Sequence, residues 1–258
     1  MNRRTLLKTA AASLFLNTTP FTIGVGTFSY HNLSMEDMVT QLRALNINQI
    51  EMSHGQFMLM HPPTDAMCQS ARRAFDRAAI RCVSFYAATI KNTTDIDHAV
   101  RIAKLLGATN VSGDATGPTL QEIDRRFTHE GLTFGIHNHW FPTKFAYESP
   151  DDVLQALATV SETIGATLDV GQMAACGHNP LAALRRLRSR LKLVHLKDVA
   201  AAGAEHNVPF GQGIVNIAAV LHELKATRFK GLVAIEYEKE GDVNADMRQL
   251  VNYARQNS

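Results

Sequence analysis

The stretch IGATLDVGQMAACGHNPLAALRRLRSRLKLVHLKD, residues 164–198, reads as a strand, a helix and a second strand. Ile164–Leu168 and Lys192–Val194 are short apolar runs, and Leu181–Ser189 between them repeats apolar residues at helical spacing. Each run leads into a residue type that binds cations, Asp169 and His195. The same unit continues outward: Leu132–Ile136 leads into His137, and Leu232–Ile235 into Glu236. Earlier runs at Thr22–Gly26, Gln49–Met52, Arg81–Phe85 and Thr109–Ser112 complete eight strands. Amphipathic patterns alternate with them at Met35–Leu45, Asp65–Ala79, Ile96–Leu106, Leu120–His129, Asp151–Thr159, Leu181–Ser189, Ile217–Lys225 and Ala245–Arg255. Ser34-x-x-Asp37 and Ser149-Pro150-Asp151 place capping residues where unsatisfied backbone N–H groups need them, and Gly107 supplies a helix stop.

Eight alternations joined by short connections predict an α/β chain folded as a single (β/α)8 TIM barrel over residues 21–258. The competing open, doubly wound sheet usually has a glycine-rich phosphate turn after its first strand. Gly24-x-Gly26 lacks the third glycine and a helix directly behind it. Barrel strands all run one way, so their C-terminal ends converge on one mouth. His137, Asp169, His195 and Glu236 are expected to meet there as a divalent-metal site. Singly, each signal is weak: Asp169 suits a helix cap, and His195 suits a core position. Glu236 is the odd one, since a carboxylate at a buried strand end costs several kcal/mol unless paired or coordinated. The segments Ser53–Thr64, Asn138–Pro150 and Asp198–Asn216 are expected to ring the mouth.

Composition narrows the function classes. Apolar residues make up 45% and charged residues 19%, which excludes a disordered chain. Net charge is only +2, and Arg185, Arg186, Arg188 and Arg190 fall on one solvated helix face, so nucleic acid is not an expected partner. Cys68, Cys82 and Cys176 show no C-x-x-C spacing and read as buried or free thiols, a Cys68–Cys82 bridge being the alternative in an exported protein. The first twenty residues hold Arg3-Arg4 and the short apolar run Thr9–Leu16, resembling a twin-arginine (Tat) export signal. Export to the periplasm or beyond is expected; without a clear A-x-A site, an uncleaved or vestigial leader on a cytoplasmic protein is the alternative. No other segment approaches membrane length, so no stable membrane insertion is expected. Assembly into a homo-oligomer is left open.

Leu168-Asp169-Val170-Gly171, His195-Leu196-Lys197-Asp198, Phe210-Gly211-Gln212-Gly213 and Ile235-Glu236-Tyr237-Glu238 resemble motifs of the xylose-isomerase-like sugar isomerase/epimerase superfamily, which includes tagatose and psicose epimerases, inosose dehydratases and ketosugar lyases. The resemblance implies one divalent metal ion (Mn, Mg, Co or Zn) held by Asp169, His195 and Glu236, and a small-molecule sugar substrate. Two positions depart from that pattern: His137 stands where a glutamate is usual, and Gln172 where many members have histidine. His137 is taken as the fourth ligand, with Glu148 folding back as the alternative; read plainly, Glu148 is a surface charge.

The implied chemistry is proton removal beside a carbonyl to an ene-diolate, with Glu236 and His137 as acid–base groups. Lys197 would stabilise an oxyanion or protonate a leaving group, pairing with Asp198 being its plain reading. His139, Gln172, Glu51 and His31 are candidates for substrate hydroxyls, a structural role being the plainer reading of His31 and Glu51. Reprotonation gives isomerisation or epimerisation, and loss of a β-leaving group gives a lyase or dehydratase. A multi-zinc endonuclease and a non-catalytic sugar-binding barrel are the remaining readings.

Overall fold

The computed structural model describes residues 20–53, 57, 61–141, 146–239 and 241–258. The twin-arginine leader expected over residues 1–20 falls, but for Pro20, outside the described residues. The strands are β1 (Thr22–Gly26), β2 (Gln49–Met52), β3 (Arg81–Thr89), β4 (Asn110–Asp114), β5 (Thr133–His137), β6 (Ile164–Asp169), β7 (Leu191–Leu196) and β8 (Leu232–Ile235). All neighbours pair in parallel, and β8 returns to β1 to close a barrel, with Val25 opposite Ile235. Helices α1 (Met35–Ala44), α2 (Asp65–Arg77), α3 (Thr93–Leu106), α4 (Gly117–Glu130), α5 (Pro150–Leu157), α6 (Val170–Ala175), α7 (Pro180–Leu187), α8 (Ile217–Ala226) and α9 (Asn244–Gln256) join them.

Local chemistry sets the helix ends. The Ser34 and Thr64 hydroxyls accept from the third backbone N–H of α1 and α2, and Ser149 with Asp152 forms a reciprocal capping box on α5. Gly107 ends α3 in the left-handed conformation. The Gly24-x-Gly26 pair also has a packing reason: a Cβ on Gly24 would sit 2.3 Å from the Gln49 carbonyl oxygen, so β1 approaches β2 only without a side chain there.

Two features differ from the sequence expectation. Helix α6 occupies a stretch where the sequence pattern predicts no helix; every residue in it is buried, so it lacks the one-sided pattern that marks a surface helix. The strands also run further toward the mouth: β3 continues to Thr89, and β5, β6 and β7 end at His137, Asp169 and Leu196. Pairing carries them on, since Asp169 lies opposite His195 and His137 opposite Thr167. The three residues are therefore strand residues, and of the four only Glu236 follows its strand.

Side chains alternate across the sheet. Ile50, Met52, Phe134, Ile136, Val194, Leu196, Val233 and Ile235 face outward into the large core under the helices. Leu193, Leu232 and Ala234 form a separate, small apolar cluster within the barrel. Glu51, Ser84, Ser112 and His195, all buried, share the inward parity and meet one another there. The three cysteines are free thiols, so the alternative Cys68–Cys82 bridge is not formed. Among the described residues, no helix is long and apolar enough to cross a membrane.

Candidate metal centre at the barrel mouth

Inward parity at the ends of β5, β6 and β7 brings His137, Asp169 and His195 together. Among the described residues, these three form a group whose ligand atoms all lie within 4.8 Å of one another. His137 Nε2 is 3.1 Å from His195 Nδ1, and Asp169 Oδ2 is 3.6 Å from the first and 3.7 Å from the second. Backbone and side-chain bonds fix Asp169. Its N–H donates to Asn138 Oδ1, its carbonyl accepts from Asn138 Nδ2, and its Oδ1 accepts from the Gln172 N–H that opens α6. Asp169 is thus both helix cap and member of the cluster. Its other oxygen, Oδ2, is buried and makes no hydrogen bond. A buried carboxylate oxygen facing two imidazole nitrogens, with the Lys197 ammonium 3.3 Å away as its cationic contact, is a donor set that fits a divalent cation.

Glu236 lies beside the group, with Oε2 3.2 Å from His195 Nδ1. Lys197 stands between the acids. Its Nζ is 3.3 Å from Asp169 Oδ2, 3.1 Å from Glu236 Oε2 and 2.5 Å from Glu238 Oε1. Lys197 therefore does not pair with Asp198. The Asp198 carboxylate instead accepts from the backbone N–H groups of Val199, Gly211, Gly213 and Val215, tying the segment after β7 to the barrel. Gly213 is required there, because a Cβ would lie 2.1 Å from Asp198 Oδ1.

The electrostatics follow from burial and these partners. Burial opposes charge on Lys197, but Asp169, Glu236 and Glu238 outweigh it and hold the ammonium well above its ordinary pKa. Burial likewise pushes Asp169 up, and Lys197, His137 and His195 more than reverse that. His195 is held well above the usual imidazole range, since Glu51, Glu236 and Asp169 outweigh its own desolvation. His139 goes the other way: burial, then the nearby His137 and Lys197, lowers it to about 4, so it is neutral at pH 7. Phe28, Tyr86, His137, His139, His195, Lys197, Glu236 and Glu238 line a cavity of about 150 Å³ over the cluster.

A model of the xylose isomerase-like TIM barrel family matches residues 18–257. The chain belongs to that family. No curated protein sequence matches this xylose isomerase-like barrel. Its fold is shared by solved structures of low identity. A protein from Parabacteroides distasonis is 24% identical, with a TM-score of 0.69 over 93% of this chain and 100% of its own. The probable 3-DHS dehydratase of petrobactin synthesis from Bacillus anthracis is 14% identical, with a TM-score of 0.73 over 91% and 99%. The 3-keto-D-glucoside 4-epimerase of E. coli is 13% identical, with a TM-score of 0.72 over 92% and 99%.

Within this xylose isomerase-like barrel, the other residues singled out from sequence take different places. His139 lines the mouth, its Nδ1 2.6 Å from the Trp140 carbonyl oxygen. Gln172 is buried and accepts from the Trp140 N–H, which braces the segment after β5. His31 sits at the outer rim, stacked on Phe28 and bonded through Nδ1 to its carbonyl. Glu51 is not at the mouth: it is 0% exposed inside the barrel and bonded to His195, Ser84 and Ser112. Glu148 lies on the segment ahead of α5 and is not a member of the three-residue group. Sequence reading missed Tyr86, whose ring meets the His137 ring edge-on at 5.2 Å, and Glu238, which holds Lys197. Parity with Ser84 and with Glu236 is the signal that finds them.

Proposed function

We propose that this chain is a divalent-metal-dependent sugar isomerase or epimerase that removes a proton beside the carbonyl of a keto-sugar or related polyol. The observation that carries the reading is the convergence of His137, Asp169 and His195 at the mouth, with Glu236 and Lys197 alongside. His137, Asp169 and His195 would hold the ion, with Glu236 next to them as the fourth donor. Bound there, a divalent cation supplies a Lewis acid that polarises a carbonyl and makes the adjacent C–H acidic.

The residues around it divide the remaining work. Glu236 is 6% exposed and lines the cavity that would take the substrate. It takes the proton and returns it to the same or the neighbouring carbon, with His137 as the alternative acid–base group. Lys197, kept cationic by the three carboxylates that take its N–H donors, would supply a fixed positive charge beside the oxygen on which negative charge develops in the ene-diolate. Neutral His139, at the cavity wall, is suited to hydrogen-bond a substrate hydroxyl. Tyr86 and Phe28 give the pocket aromatic faces for the apolar side of a sugar ring. The second reading is a lyase or dehydratase: Lys197 lines the same cavity, and in that reading it would give a proton to a β-leaving group. The neighbour described as a 3-DHS dehydratase shares the fold, which accommodates that outcome.

The test is turnover of a panel of ketohexoses and 3-keto-glycosides in D₂O, followed by NMR. A hydrogen beside the carbonyl is expected to be replaced by deuterium. The rate should fall with EDTA and return with Mn²⁺, and Asp169→Ala should lose metal retention and activity together. A substrate turned over at full rate in EDTA, or with all its α-hydrogens retained, would overturn the mechanism.

A further inference from the structure

Barrel interiors are ordinarily packed with branched apolar side chains, yet β2 places a glutamate at the centre of this one. Glu51 is 0% exposed, and both of its oxygens are engaged. Oε1 accepts from Ser84 Oγ at 2.8 Å and from Ser112 Oγ, while Oε2 meets His195 Nε2. The donors are themselves oriented: Ser84 Oγ accepts from Asn110 Nδ2 at 3.0 Å, and Asn110 Oδ1 accepts from Thr133 Oγ1 at 2.8 Å. A chain of polar contacts therefore crosses the barrel from β5 through β4, β3 and β2 to the imidazole on β7. The Ser84 hydroxyl, receiving a bond from Asn110, is left to donate to Glu51. With Oε1 taking two hydroxyl donors, Oε2 is reserved for His195.

We infer that Glu51 is a positioning residue that fixes the tautomer and ring angle of His195, so that His195 offers Nδ1, and not Nε2, to a divalent cation. The carboxylate holds the proton on Nε2. The opposite nitrogen then faces His137 Nε2 at 3.1 Å, Glu236 Oε2 at 3.2 Å and Asp169 Oδ2 at 3.7 Å. Carboxylate–histidine pairs of this kind set ligand orientation and basicity at metal sites. Glu51 touches neither substrate nor metal in this role. The inference rests on the metal reading proposed above and adds to it the reason for a buried carboxylate that a purely structural barrel would replace with an apolar side chain.

The experiment compares wild type, Asp169→Ala, Glu51→Gln and Ser112→Ala, each titrated with Co²⁺ by visible absorption and with Zn²⁺ by chelator competition. Melting of each metal-free protein is recorded alongside. Glu51→Gln is expected to weaken both ions roughly 10- to 100-fold. Its metal-free melting temperature should fall, because His195 is left buried without the carboxylate that faces Nε2, so the proton position on His195 and not the stability separates positioning from mere support. Ser112→Ala should show a smaller loss in the same direction. In Zn²⁺-loaded wild type labelled with ¹⁵N-histidine, the His195 ring should carry its proton on Nε2. Wild type that binds no better than Asp169→Ala would sink the metal reading, and this inference with it. Glu51→Gln binding as tightly as wild type, or a His195 proton on Nδ1 in the zinc form, would overturn the inference alone.

Discussion

Lys197 concentrates the energetics of the mouth in one side chain. Its ammonium is 2% exposed and faces three carboxylates, so it offsets charge that the protein interior would otherwise not tolerate. Lys197→Met removes the cation and leaves Asp169 and Glu236 buried without it. Breaking one side of such a network costs about 3–5 kcal/mol. The metal-free variant is expected to unfold earlier in urea by an amount in that range, and added Mn²⁺ should recover proportionally more stability than in wild type, since the ion supplies the missing positive charge. The pH dependence has a definite sign. The folded-state pKa of Asp169 is depressed, so its stabilising contribution is present above the unfolded value of about 3.9 and lost as pH falls toward the folded one. Lys197 does more than any other group to lower it. Without it the acid transition of metal-free protein, followed by circular dichroism, should move to higher pH. An unchanged acid limb would show that His137 and His195 alone hold Asp169 ionised.

Among the elements, the segment between β7 and α8 shows how a motif legible in sequence acquires its physical meaning only in three dimensions. Asp198 reads as a partner for Lys197 because the two are adjacent, but directly after β7 their side chains take different partners. Asp198 turns instead to four backbone N–H groups, and Phe210-Gly211-Gln212-Gly213 is the stretch that folds back to present two of them. Asp198→Ala leaves those donors without their acceptor, and a loss of about 3 kcal/mol is expected, measured by urea unfolding. Limited proteolysis should begin within residues 199–215 of the variant. Resistance equal to wild type would mean that the segment is held by other contacts. The strands, caps and closing β8–β1 pair were readable because alternation and cap chemistry are local. Helix α6 was not, since a helix buried on every side has no stripe. The depth of Glu51 was not legible for a related reason: the sequence shows a carboxylate near a strand end but not how far inside the barrel it lies. Register decides that, with Glu51 opposite Gly26 while its carboxylate reaches across to β7.

At the scale of the whole molecule, closure of the barrel links the two ends of the chain. Strand β1 starts at Thr22 and hydrogen-bonds to β8, so the sheet is complete only when nearly all of the sequence is present. Thr22 opens β1 at the end of the barrel opposite the mouth, because the site residues gather where the parallel strands finish. A segment attached ahead of Thr22 therefore joins the barrel on the face away from His137, Asp169 and His195. We propose that residues 1–20 direct export by the twin-arginine route, which carries proteins already folded, and this topology suits such a route: the barrel can close and take up its ion with the leader still in place. Replacing Arg3 and Arg4 together by lysine is then expected to hold the protein in the cytoplasm, as read by fractionation of the native host. The retained protein should melt at the same temperature as the exported one and bind Co²⁺ equally well, since both arginines precede β1, which begins at Thr22. Equal distribution of wild type and variant between compartments would sink the export proposal and leave the site untouched. Retention accompanied by loss of Co²⁺ binding would show instead that the ion is acquired after export, which would remove the advantage of moving a folded barrel.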